Sequence, residues 1–285
     1  MIFEVSADIE YQASFPSAMI LSMHAQESDS QALLAESFEI QPRVPHSLFR
    51  DDHGNRFVRL NTGKHKKLAV HYTATVDCTF DISRADHVPE TPVTVLDHAA
   101  LQYVFPSRYC QSDRLGKLAW DLFGKYKTPH EKVVKITDWI YRNVAYVSGS
   151  TNSSTSAYDT VTQRVGVCRD FAHLGIALCR ALNIPARYFT GYAYQLQPPD
   201  FHACFECLIG EKWMVFDATR LARLNGLVRI ATGRDAADTA VASVFGAVAC
   251  MHSAVTCELG EGQEFKPIHN EHLGSRGVML SAGTD

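Results

Sequence analysis

Cys168 stands in the stretch VGVCRDFAHLGIALCRALNIPARYFTGY, after a glycine-containing turn and directly ahead of a run with helical spacing. Phe171, Leu174, Gly175, Leu178, Cys179 and Leu182 recur at three- and four-residue steps, Asn183 can end the helix, and Pro185 forbids its continuation. The spacing predicts a helix from Cys168 to about Leu182, with the cysteine in its first turn. There the unpaired backbone N–H groups and the helix dipole favour an anion, which raises the thiolate fraction of a thiol. The same N–H groups can receive the oxyanion that forms when sulfur attacks a carbonyl. A free cysteine is also a common small buried hydrophobe, so position alone leaves both readings open.

A nucleophile of this kind needs a base. The stretch DFHACFECLIGEKWMVFD, residues 200–217, reads as a hairpin that turns at Gly210-Glu211, with His202, Cys204 and Glu206 on one face of its first strand. If Ile209 pairs with Lys212 across the two-residue turn, Cys204 faces Asp217 and His202 lies diagonally two residues away on that face. A carboxylate so placed holds an imidazole in one tautomer and stabilises its charged form, as the third member of a nucleophile, base and orienter set does. A one-residue slip would turn Asp217 to the opposite face. Taken singly, a strand histidine is satisfied structurally and an aspartate ending a strand is a turn former. The order of a cysteine at a helix start, then His202 and Asp217 on successive strands, supports a cysteine-nucleophile hypothesis.

Other chemistry fits less well. His202 with Cys204 and Cys207 suggests zinc, but strand positions three apart point to opposite faces, and a second C-x-x-C is absent. Neither a metal site nor a disulfide between Cys204 and Cys207 is expected, and no motif calls for a cofactor. His173 follows Cys168 by five residues, about 500° of helical rotation, which leaves it about 140° around the helix and reads as a packing residue. Asp170 suits the first turn electrostatically. Arg187 and Tyr192, on the strand after Pro185, are expected to line or brace the site. Arg234, Asp235 and Asp238 in GRDAAD read as a loop held by charge-assisted hydrogen bonds.

The elements that must position these groups come in two regimes. From Leu68 to Phe80 the apolar residues fall on alternate positions, residues 2–11 alternate similarly, and DDHGN and NTGK supply turns around Arg56 to Leu60. A β-sandwich or meander is the expected N-terminal unit. HVPETPV, His87 to Val93, breaks the pattern with two prolines, and the expected partition is residues 1–93 and 94–285. Helical spacing follows: Ser112 can cap a helix carrying Leu115, Leu118, Ala119, Leu122 and Phe123, and Thr128-Pro129-His130-Glu131 has the form of a capping box. The polar loop Ser148 to Ser156 is a candidate rim for the site. The last fifteen or so residues read as a loosely held tail.

Composition excludes several classes. At 285 residues, 46% apolar and 20% charged, the chain is an ordinary globular protein of one large or two ordinary domains. The net charge of −4 and scattered Lys and Arg offer no nucleic-acid footprint, and the Lys64, Lys66, Lys67 cluster reads as a solvated hairpin tip. No apolar run is long enough for a membrane span, and the acid-containing start MIFEVSADIEYQASF is unlike an export signal. Eight cysteines are too dilute for a disulfide scaffold, so the expectation is reduced thiols in a cytoplasm.

GVCRDFAHLGIALCRALNIPARYFTGY, followed by FHACFE, WMVFDATR and RIATGRDAADTA, resembles the bacterial transglutaminase-like superfamily, a branch of the papain-like cysteine enzymes. The β-rich N-terminal portion is similar to the region that precedes the core in these proteins. The resemblance implies an α+β fold: an N-terminal antiparallel β-sandwich-like domain, then a core whose nucleophile helix packs on an antiparallel sheet. It implies Cys168 as nucleophile, His202 as general base and acid, and Asp217 as the orienting carboxylate. Two positions depart from the family pattern. Cys204 stands where the family usually has Trp and Ala218 where it usually has Pro, which puts substrate choice rather than the triad in question. The expected chemistry is acyl transfer from a peptide or protein amide through a thioester, with water as acceptor in a peptidase or amidase. A lysine amine as acceptor gives the alternative, a protein-glutamine gamma-glutamyltransferase, and a non-catalytic binding module with the same fold is the reading from a different class.

Overall fold

Alternation governs the first third of the chain. In β1 (Ile2–Ala13) Phe3, Val5, Ala7, Ile9, Tyr11 and Ala13 are buried while the even-numbered residues face outward. β2 (Ala18–Leu21), β3 (Gln31–Gln41), β4 (His46–Arg50), β5 (Arg56–Asn61), β6 (Lys67–Cys78) and β7 (Asp81–Arg84) follow. In β6 the residues that alternate in sequence are those that go inside, including Leu68, Val70, Tyr72 and Val76. The helical regime then supplies α1 (His98–Leu101), α2 (Ser112–Phe123) and α3 (Pro129–Asn143). Thr128 caps α3 by accepting from the Glu131 N–H at 3.2 Å, with Pro129 at its first position. α2 begins one residue earlier than a Ser112 cap requires, with Gln111 as its cap residue.

The remaining elements are β8 (Ala145–Tyr146), α4 (Ala157–Gln163), β9 (Val165–Gly166), α5 (Cys168–Ala181), β10 (Ala186–Ala193), β11 (His202–Ile209), β12 (Lys212–Phe216), β13 (Leu227–Gly233), α6 (Ala236–Thr239), β14 (Ala242–Phe245), β15 (Val248–Leu259) and β16 (Arg276–Met279). This computed structural model describes residues 1–280. Among them no helix is long and apolar enough to cross a membrane.

Two four-stranded sheets, ordered β15-β1-β6-β3 and β14-β2-β5-β4, enclose one apolar core as a sandwich. A six-stranded antiparallel sheet, β13-β10-β11-β12-β16-β7, forms the second unit, and α2 to α5 contribute to the core on its helical side. The fold is therefore α+β, a β-sandwich followed by a core whose cysteine-bearing helix lies against antiparallel strands. Strands are exchanged across the partition expected at residue 93. β7, from the first segment, closes the edge of the core sheet, and β14 and β15, from the second, close edges of the sandwich.

The tail is not loose throughout. Arg276–Met279 inserts between β12 and β7, with Val278 and Met279 buried, because this short apolar run supplies the side chains that the sheet edge lacks. Residues 281–285 of the expected tail lie outside the described residues.

The two units are held together by side chains that serve backbone of the other. Gln31 accepts from the Arg229 N–H at 2.7 Å and donates to the Arg229 carbonyl at 2.8 Å. Asn55 does the same for Thr232, at 2.9 and 2.8 Å. Both Gln31 and Asn55 are buried, so each bond also prevents an unsatisfied polar group.

Candidate active site

α5 starts at Cys168 and ends with Asn183 in the left-handed region at φ 61°, the terminus that its sequence predicts. Its first turn is pinned by Asp170, whose Oδ2 accepts from the Val167 N–H at 3.0 Å and from Thr151 Oγ1 at 2.6 Å. Thr151 belongs to the Ser148–Ser156 loop. Arg169 ties the same loop down by donating to the Asn152 carbonyl at 2.9 Å, and Ser153 reaches the cleft that contains Cys168.

The hairpin register is Ile209↔Lys212, continuing through Phe205↔Phe216. One step further on sets Asp217 beside the histidine: His202 Nε2 and Asp217 Oδ2 are 3.0 Å apart, both side chains buried. Asp217 is otherwise saturated. Its Oδ1 accepts from the Thr219 N–H at 2.9 Å and the Thr219 hydroxyl at 2.7 Å, and its Oδ2 also accepts from the Ala222 N–H at 3.0 Å. These bonds and the His202 charge overcome burial and hold the Asp217 carboxyl below its usual range. An ionised carboxylate only accepts, so the proton between the pair sits on His202 Nε2. That leaves Nδ1 for the side-chain hydrogen bond His202 makes with Cys168. Burial pulls the His202 pKa down, but the Asp217 charge and hydrogen bond outweigh it, and the imidazole is pushed up to about 10. Imidazolium is the state this setting favours beside sulfur.

Tyr146, which the sequence reading passed over, lies on the other side of the cysteine. The Cys168 backbone N–H donates to its hydroxyl, which also bonds the Cys168 side chain. Burial, then the Cys168 charge, push the phenol up to about 12, so it stays protonated at neutral pH. The signal for it was weak: an aromatic in the two-residue strand β8 just after α3, brought to the cysteine by the parallel pairing Tyr146↔Gly166.

The three residues named from the sequence are thus brought together, and the cleft around Cys168 and His202 has a volume of about 360 Å³. Tyr109, Ser153 and Arg169 bound one side, and Thr239, Val241 and Ala242 another. A larger cavity of about 860 Å³, bounded by Leu96, Tyr103, Arg187 and Trp213, holds none of the three. Arg187 stands there, its Nε 2.6 Å from Glu206, and it does not line the cleft. Tyr192 braces the two units instead, donating to the Met23 carbonyl at 2.6 Å. His173 is fully buried between Tyr109 and Tyr188, where burial holds it well below its usual pKa, and it accepts from the Ala236 N–H at 3.1 Å. Arg234 and Asp238 pair at 2.9 Å, while Asp235 caps α6 and accepts from the Tyr109 N–H. Cys204 and Cys207 fall into different apolar clusters on opposite faces of β11, and the Cys207 sulfur lies 3.6 Å from that of Cys179.

Residues 116–218 match the family described as the transglutaminase-like superfamily, and residues 1–99 match the bacterial transglutaminase N-terminal domain. The chain belongs to the transglutaminase-like superfamily. Its structure superimposes on that of a Cytophaga hutchinsonii protein provisionally named a cysteine protease, with a TM-score of 0.95 and 51% identity over 99% of this chain and 98% of that one. An uncharacterized protein of Mycobacterium leprae is 28% identical over 124 residues, 41% of this chain and 44% of the relative. One of Mycobacterium bovis is 40% identical over 74 residues, 26% of this chain and 24% of the relative. The matched segments span less than half the length of either curated relative. At the level of the family, these likenesses support cysteine-based acyl transfer.

Proposed function

We propose that the chain is a cysteine peptidase or amidase acting on a peptide or protein amide, with Cys168, His202 and Asp217 as its triad. One observation carries this reading: the His202 ring spans Cys168 and a fully bonded carboxylate, the arrangement that acyl transfer by a thiol requires. The sulfur anion attacks the carbonyl carbon, a bond forms between them, and the carbonyl electron pair moves to oxygen. We assign the Cys168 N–H and the Tyr146 hydroxyl, which bond each other beside the sulfur, as the donors that turn to that oxyanion as it forms. The His202 imidazolium gives its proton to the leaving nitrogen as the carbon–nitrogen bond breaks. Water then attacks the thioester, His202 takes its proton, and sulfur leaves.

A second reading, transfer to an amine, is favoured by Asp200. Asp200 lies near His202, and its carboxyl, which burial raises above the usual range, would take the proton that an amine must lose before it attacks the thioester. Two measurements separate these readings. Wild type, Cys168→Ala and His202→Ala are treated with a thiol-directed activity probe, and labelling is expected in wild type only. A glutamine peptide with a labelled primary amine then reports the acceptor, and stable amine incorporation in place of free acid would overturn the hydrolase reading.

A further inference from the structure

β14 is the outer strand of its sheet, and among the described residues β2 is its sole strand partner. The Ser22 N–H donates to the Val241 carbonyl at 2.8 Å, and the register continues Ala242↔Leu21, Ser243↔Ile20, Val244↔Met19, Phe245↔Ala18. Bonded and non-bonded pairs alternate in an antiparallel ladder. The Val241, Ser243 and Phe245 pairs are therefore the bonded ones, and the N–H and C=O groups of Ala242 and Val244 point away from β2, toward the free edge. Natural edges are usually blunted by charge or proline. β4, at the opposite edge of the same sheet, carries His46 and Arg50, and β3 carries Glu36 and Glu39. β14 reads Ala-Ser-Val-Phe, with Val244 38% and Phe245 62% exposed.

This bare edge is continuous with the cleft. Thr239, Ala240, Val241 and Ala242 form the wall that faces Cys168 and His202. From the wall the edge runs outward for four residues, about 13 Å at strand rise. We propose that β14 is the docking edge for the acyl donor, which binds as an extended peptide segment whose main chain pairs with Ala242 and Val244. The proposal rests on the cysteine reading of the cleft and adds its substrate class: an unfolded or extended polypeptide stretch, not an isolated side-chain amide or a small-molecule amide.

The test compares two alkylating probes with the same reactive group, acetyl-alanyl and acetyl-tetraalanyl chloromethyl ketone, on the full chain. The ratio of their second-order rates at Cys168 is the readout. Wild type is expected to react at least about tenfold faster with the tetraalanyl probe, the order that one or two main-chain bonds supply. Val244→Pro removes one outward N–H without touching the β2 ladder and is expected to lower the ratio about tenfold, while Val244→Ala keeps it within about twofold of wild type. A set of tetraalanyl probes, each N-methylated at one residue, is applied to wild type and needs no variant to fold. The gain should be lost at alternate residues, since strand pairing has that period. A wild-type ratio near one, or N-methyl effects without alternation, would overturn the docking edge and leave the thiol chemistry standing. Failure of both probes to alkylate Cys168 would sink the cysteine reading and the edge together.

Discussion

Replacing Asp217 with Asn removes one charge from the buried pair with His202 and leaves the shape of the side chain. The pair, with a smaller part from Cys168, raises the His202 pKa from 6.5 to about 10 against the pull of burial, a preference for imidazolium on the order of 5 kcal/mol. In Asp217→Asn burial is opposed only by the smaller contributions of Cys168, so the imidazole titrates well below its wild-type value. The amide can turn its oxygen toward His202 and the Ala222 N–H, which keeps the Nε2–H tautomer. Its nitrogen then meets the Thr219 N–H, a donor facing a donor. That one unsatisfied buried N–H adds about 1–3 kcal/mol to the loss of stability. Side-chain ¹⁵N spectra should show His202 charged at pH 8 in wild type and neutral in the variant, and kcat/KM should fall on the order of 10³-fold.

The stability gap has a definite pH window. His202 gains proton affinity on folding, so its contribution is complete below pH 6.5 and fades as pH rises through about 10. Asp217 is lowered on folding, so its contribution is present above pH 3.8 and is lost as pH falls through its folded value. Urea titrations should therefore find the gap between wild type and Asp217→Asn widest between pH 3.8 and 6.5 and shrinking toward pH 10. A histidine that stays charged above pH 8 in the variant, or a gap that widens with rising pH, would refute the electrostatic account.

Tyr146→Phe should cut kcat about 100-fold through the lost donor at Cys168, with an unchanged melting temperature, since the ring is 45% exposed; steady-state kinetics beside a thermal melt check this. Glu206 is fully buried between Arg187 at 2.6 Å and Arg229 at 2.5 Å, and Glu206→Gln, which leaves both guanidinium groups uncompensated, should cost about 3–5 kcal/mol in urea titration. Gly175 is where α5 meets β11: a Cβ there would sit 2.5 Å from the Phe205 ring. Gly175→Ala should push helix and strand apart, cost about 1–3 kcal/mol, and slow alkylation of Cys168, while Gly116→Ala in α2, half-buried but with open space where its Cβ would go, should not.

Local signals were legible where one physical rule acted alone. The two-residue turn at Gly210-Glu211 fixed a register that ran through to Asp217, because β-pairing leaves no half steps. Spacing and Asn183 defined α5, and its amphipathic face determined what it packs on. Long-range effects stayed hidden. Arg187 looked like a site residue because it shares a strand with residues near the cleft, yet its partner is Glu206, and nothing in either residue's neighbourhood in sequence names the other. Tyr146 reaches Cys168 through a two-residue parallel pairing too short to leave a pattern. The ambiguity of the tail has the same origin: the run Gly277 to Met279 looks like linker until β7 and β12 offer it a gap.

The return of β15 onto β1 has a consequence for how the polypeptide is made. During synthesis β1 leaves the ribosome well ahead of the neighbour that covers its outer edge, from Val248 to Leu259, which arrives roughly 240 residues later. Until then an apolar strand waits with open hydrogen-bonding groups along that edge, exposed to other nascent chains. A chain halted before Thr239 would carry Cys168 but lack both the cleft wall from Thr239 to Ala242 and the strands β14 and β15 that complete the first domain's sheets.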